Sequence, residues 1–168
     1  MMFKNEDKGQ GSIEFLFLIS FGIILALLLT NSLAQEYDLT LSILAAKNGV
    51  TTGLDGGRLS VFEKSAYNKY KINNSVLTHP NSIKLVKIET IDRGYDSRYN
   101  RTSIQIKAFV SSSSVMLKGD RTSTGDRINF NLRKSITMTF GTSNLTNTLH
   151  NPCFSNHHVY TTANVQWV

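Results

Sequence analysis

The feature that most restricts this chain is an uncharged apolar run, Phe15–Leu29, that begins directly after Glu14. With Ile13 and Thr30 it reaches about 18 residues, the lower end of what a helix needs to cross a bilayer. A segment that is apolar on every side belongs in a membrane or inside a bundle of like helices. A carboxylate at its edge is costly to place in lipid and so asks for a function. No Pro and no charge interrupts residues 15–33, and beyond Asn31 the pattern turns amphipathic. Leu33, Tyr37, Leu41 and Leu44 recur at helical spacing with Ile43 beside them, while Gln35, Glu36, Asp38 and Ser42 supply polar positions. This spacing predicts one helix over residues 10–48, closed at Gly49, with the Leu33–Leu44 stripe turned toward a globular domain; Ser12 as an N-cap with Glu14 beside it is the plainer competing account of that acid. The glycine-rich stretch 49–57 then reads as a hinge.

The 168 residues leave room for one domain after that helix. Its pattern changes period. Ile104, Ile106, Ala108 and Val110 alternate with polar residues, as do Ile128, Phe130 and Leu132, then Ile136, Met138 and Phe140, and finally Val159, Thr161, Ala163, Val165 and Trp167. Such alternation predicts half-buried strands. Ile83–Ile91 adds another, with a phase slip at Leu85-Val86 that predicts a bulge, and Val115–Leu117 adds a short one. Turns are expected at Asp92-Arg93-Gly94, Lys118-Gly119-Asp120 and Gly125-Asp126. Residues 58–78 fit strand or helix equally. The predicted fold class is therefore α+β: a long N-terminal hydrophobic helix followed by a β-rich, mostly antiparallel domain at 58–168. The single Cys excludes an internal disulfide, so this domain is held by its core. The net charge of +6 is spread singly rather than in a basic run, which predicts no nucleic-acid partner.

Three fates of the N-terminus compete. A secretory signal would be cut after the apolar run, where Asn31-Ser32-Leu33-Ala34 is a poor site. A plain anchor has no need of Glu14. The third fate is a cut before the apolar run. Gln10-Gly11-Ser12-Ile13-Glu14-Phe15-Leu16-Phe17-Leu18 resembles the Q-x-S-x-E-x-x-x-L signature of archaeal type IV pilins with class III signal peptides, each fixed position being met by Gln10, Ser12, Glu14 and Leu18. The resemblance covers residues 8 to about 35, and the mixed-charge leader departs from the more plainly basic leaders of that family. It implies cleavage between Gly9 and Gln10 by a prepilin peptidase, removing the leader 1–9. It further implies a pilin-like lollipop: membrane-held as precursor, then lifted by an assembly ATPase and a membrane platform protein into a helical filament of its own copies, outside the cell and used for surface adhesion. Physical chemistry supplies a reason for Glu14. Cleavage creates an ammonium on Gln10, and a carboxylate nearby in a neighbouring copy offsets it where water is excluded. A minor tip subunit with a ligand-binding β domain, and a membrane-anchored enzyme, remain alternatives.

Other candidate sites carry less. Asn73, Asn100 and Asn144 head the three N-x-S/T sequons, all outside the long helix, where sugar would coat an outer surface. His150, Cys153, His157 and His158 cluster in sequence and offer metal-ligand chemistry, but their spacing matches no zinc-finger pattern, and the preferred reading is a loop with Cys153 buried or idle. No G-x-S-x-G elbow, P-loop, H-E-x-x-H or glycine-rich dinucleotide turn occurs, so neither catalytic residues nor a cofactor are expected.

Overall fold

The computed structural model describes residues 6–55, 64–73 and 82–168. The chain divides into two compact units, Met1–Tyr37 and Asp38–Val168. Helix α1, Glu6–Asp55, supplies all that is described of the first and the opening of the second.

In the first unit every large apolar side chain from Ile13 to Leu29 is between 44% and 73% exposed. The few hydroxyls there turn inward. Ser20 and Thr30 donate to the carbonyls of Leu16 and Ala26, both at 2.8 Å. Ser32 donates to that of Leu28 at 3.2 Å. Hydroxyls satisfied on their own helix backbone add little cost in lipid, which leaves exposed Glu14 as the costly group at the edge of the run. Among the described residues this is the one helix long and apolar enough to cross a membrane.

The second unit begins with the remaining turns of α1 and continues with α2 (Lys64–Asn73), β1 (Ile83–Asp96), β2 (Arg101–Ser112), α3 (Lys118–Phe140), β3 (Cys153–Phe154), β4 (His158–Thr162) and β5 (Gln166–Trp167). The sheet order is β1-β2-β4-β3, with β5 also paired to β2. β1–β2 and β3–β4 are antiparallel, whereas β4 and β5 both run parallel to β2. The α+β order is as the sequence predicts, and the sheet is mixed, its antiparallel pairings more extensive than its parallel ones. β2 alternates as expected, burying Ile104, Ile106, Ala108 and Val110. The predicted bulge is present, a register shift between Leu85 and Lys87. Asp92-Arg93-Gly94 does not reverse the chain. The Asp92 carboxylate accepts the Gly94 N–H at 2.7 Å, making a second irregularity within β1, and the reversal follows at residues 97–100. Val115–Leu117 is loop, with Val115 91% exposed.

The main departure is α3. Residues expected as two strands with a turn at Gly125-Asp126 form one helix of 23 residues, and Lys118-Gly119-Asp120 is its first turn. Ile128, Leu132 and Ile136 are fully buried while Met138 is 66% exposed. Residues four apart satisfy a period of two and lie near one face of a helix as well, so the pattern alone could not decide. Topology decides: parallel β2 and β4 need a long crossover, and a helix is its usual form. α3 ends at Gly141 in the left-handed region (φ 63°), where the N–H groups of Gly141 and Thr142 bond the carbonyls of Met138 (3.3 Å) and Thr137 (3.0 Å).

The end of α1 is the second departure. The helix runs through Gly49 and Gly53 to Asp55, so 49–55 is not a hinge; residues 56–57 lie outside the described ones. A Cβ built on Gly49 would stand 2.6 Å from Leu132 Cα, and one on Gly53 2.8 Å from Ile128 Cα. These glycines let two helix backbones approach, and Ala45, Ala46 and Val50 are buried beside them. Arg127 Nε seals the contact by donating to the Gly53 carbonyl at 2.8 Å. The expected apolar stripe faces the other way: Tyr37 is 66% and Leu44 54% exposed, Leu33 and Ile43 are exposed too, and Asp38 and Ser42 are buried. Small residues occupy the closest part of the domain-facing side, at Ser42, Ala45, Ala46 and Gly49, while Leu39 and Leu54 pack on the core to either side of it.

Candidate functional site

The segment expected to be processed lies within α1. Gly9 and Gln10 are helical, and the helix starts at Glu6, so Ser12 sits inside it rather than capping it. Ser12, Glu14 and Leu18 are exposed. Gln10, Glu14 and Leu18 follow one another at one-turn intervals, which places the three positions on one side of the helix. A new amino terminus on Gln10 would stand about 6 Å along the axis from Glu14. The apolar ring of residues 13–29 begins at that level. An ammonium and a carboxylate so placed are each costly to bury unpaired.

Compared with known proteins, the chain matches no protein-family profile, no curated sequence and no solved structure.

The sequence reading missed one cluster, at the start of the second unit. Asp38 is 3% exposed, and its carboxylate accepts the backbone N–H of His157 at 2.8 Å and Asn156 Nδ2 at 3.4 Å. His157 Nδ1 is 3.3 Å from the same carboxylate, and His158 Nδ1, at 3.7 Å, is beyond hydrogen-bond reach. One turn on, the Ser42 hydroxyl donates to the Asp38 carbonyl (2.8 Å) and shares a hydrogen bond with the Tyr160 hydroxyl (2.7 Å). Burial pushes the Tyr160 phenol up to about 12. This network pins the β3–β4 turn to α1. Its signal in the sequence was a pair of polar residues, Asp38 and Ser42, in phase with the small residues Ala45, Ala46 and Gly49.

The four candidate metal ligands part company here. His157 and His158 face Asp38. Cys153 lies on β3, fully buried, with Sγ 3.8 Å from the Tyr160 carbonyl, and burial pushes its thiol up to about 12. His150 packs against Phe130, ring centroids 5.6 Å apart. Among the described residues no group of three or more His, Cys, Asp or Glu could hold a metal ion. Of the sequon asparagines, Asn100 is exposed in the β1–β2 turn at φ 53°, its Oδ1 accepting from the Tyr95 hydroxyl. Asn144 is exposed in the short 3-10 turn Ser143–Leu145. Asn73 ends α2, and the rest of its sequon lies outside the described residues.

Proposed function

We propose that this chain is the precursor of a structural subunit of an archaeal type IV pilus-like filament. The observation that carries the proposal is the coincidence of Gln10, Ser12, Glu14 and Leu18 with the first turns of a helix whose apolar side chains are exposed all round through Leu29. Such a surface is stable in lipid before assembly and among like helices afterwards. The precursor sits in the membrane with its leader cytoplasmic and the Asp38–Val168 unit outside. Prepilin peptidase cuts between Gly9 and Gln10. The assembly ATPase and platform protein then transfer the helix from lipid to a filament core, where Glu14 of one copy pairs with the Gln10 ammonium of another. Each subunit touches many neighbours, so weak single contacts add up to a strong fibre. Adhesion to surfaces is the use such a filament suits. Sugars on Asn100 and Asn144 would coat its outside.

Sequencing the mature N-terminus tests this directly. The expected first residue is Gln10, and a start near Gln35 would make the chain an ordinary secreted protein and end the filament reading. Exchange of Gly9 for a bulky residue is expected to block processing. Glu14→Ala is expected to leave processing intact and abolish filaments, and a normal filament yield from it would remove the charge-pairing role.

A further inference from the structure

The turn between β1 and β2 leads into the sequon Asn100-Arg101-Thr102 and is flanked by two tyrosines. Tyr99 is occupied. Its ring meets Phe154 edge-on at 5.3 Å between centroids, and the Arg98 guanidinium lies 5.4 Å from its own centroid. The Asp96 carboxylate holds that guanidinium at 2.8 Å. Tyr95 is different. It follows the irregularity at Asp92–Gly94, is 66% exposed, and its ring has no partner among the described residues. Its hydroxyl alone is engaged, donating to Asn100 Oδ1.

That hydrogen bond fixes which way the Asn100 amide points. Its oxygen is turned to Tyr95, and Nδ2, the atom that takes an N-linked sugar, donates no hydrogen bond among the described residues. Attachment replaces one Nδ2 hydrogen by a bond to the anomeric carbon of an activated sugar phosphate. The phosphate leaves with the electron pair of the broken bond, and the proton goes to solvent. A substituted amide is planar and trans, so the sugar stands opposite Cβ, on the side of Oδ1. Its first ring therefore starts beside the Tyr95 hydroxyl. Next to it an open groove of about 450 Å3 is lined by Arg93, Tyr95, Arg98 and Ser103, with Gly94 adding no side chain. A sugar offers C–H groups on its ring face and hydroxyls at its rim. An exposed phenol bordered by polar groups suits both.

We propose that Tyr95 is the seat of a sugar carried by Asn100, the first ring lying against the phenol and the rest of the glycan following the groove between Arg93 and Arg98. The inference rests on the sugar coat of the proposed function and gives that coat a contact on the protein.

The native protein and the same full-length chain from a bacterial host without N-glycosylation are compared in detergent micelles, each as parent, Tyr95→Ala and Tyr95→Phe. Peptide mass reads the occupancy of Asn100. Trp167 fluorescence reads the thermal midpoint, and the quantity compared is the native-minus-bacterial difference. Leader removal and any sugar on Asn144 enter all three differences equally. Tyr95→Ala is expected to lower the difference by about 2–4 °C, the shift that one well-made contact gives in a chain of this length. Tyr95→Phe, which keeps the ring, is expected to leave it unchanged. An undiminished difference in a Tyr95→Ala protein that carries the sugar overturns the seat and leaves the coat standing. An unmodified Asn100 in the native parent overturns both at this turn. A loss in Tyr95→Phe equal to that in Tyr95→Ala would assign the effect to the hydroxyl rather than the ring, and overturns the seat as well. So does loss of the sugar itself from Tyr95→Ala, because the contact forms after attachment.

Discussion

Replacing Gly49 by alanine puts a methyl group into the backbone of α3. The new Cβ would stand 2.6 Å from Leu132 Cα and 2.8 Å from the Asn131 carbonyl carbon. Carbon atoms rest at about 3.5–4.0 Å, so the two helices must part locally by roughly 1 Å. Neither neighbour is a side-chain tip that can swing away, which places the cost near the top of the overpacking range of about 1–3 kcal/mol. The opposing term is the better helix propensity of alanine, about 1 kcal/mol. The net expectation is a loss of about 2 kcal/mol, with Gly53→Ala smaller because its nearest atom, Ile128 Cα, is at 2.8 Å. Gly119→Ala is the control, since a Cβ there meets nothing within 4 Å, and it is expected to be neutral or slightly stabilising. Urea unfolding of the full-length protein in micelles, followed by Trp167 fluorescence, measures all three. A Gly49→Ala variant at least as stable as the parent would refute the close α1–α3 contact and restore Gly49 as a flexible residue.

Four further outcomes follow from the same structure. Leu132→Ala is expected to cost about 2–5 kcal/mol, whereas Met138→Gln, which a strand pairing would make equally damaging, is expected to stay within about 0.5 kcal/mol, both read from urea midpoints. Cys153 is expected to resist iodoacetamide in the folded protein and to react once urea unfolds it, because its thiol is buried and pushed up to about 12. Burial lowers His158 below its ordinary 6.5 despite the nearby Asp38 carboxylate, so the unfolded chain takes up the proton first. Its contribution is complete above pH 6.5 and is lost as pH falls through the folded value, by at most about 1.4 kcal/mol per pH unit. A His158→Gln variant is expected to show a shallower dependence of unfolding midpoint on pH below 6.5, and an unchanged slope would remove the assignment. Glycan on Asn100 or Asn144, both exposed, is expected to appear as a mass increment on peptides from the native protein, and unmodified peptides throughout would exclude the coat.

What each level of information decided follows from the range of the forces involved. The apolar run at 15–29, the alternation in β2 and the bulge at Val86 were legible because each is a local pattern read against one environment: lipid, a single buried sheet face, or a one-residue slip in phase. The final alternation, Val159 to Trp167, marks strand but is divided into β4 and β5, because regular pairing with β2 ends at Thr162 and resumes at Gln166. The cluster around Asp38 joins residues more than a hundred positions apart and has no local signature beyond the in-phase Asp38–Ser42 pair.

By itself the sequence determined that this chain carries a membrane-length apolar helix bearing an acid at its edge, followed by a domain containing sheet. Those properties depend only on solvation and on the period of the chain. Only the tertiary structure decided that residues 118–140 are helical and that Gly49 and Gly53 are contact points rather than a hinge. Both questions were settled by what packs on the other side. A four-residue spacing fits either period until a parallel crossover demands a helix, and a glycine reads as freedom until another backbone lies against it.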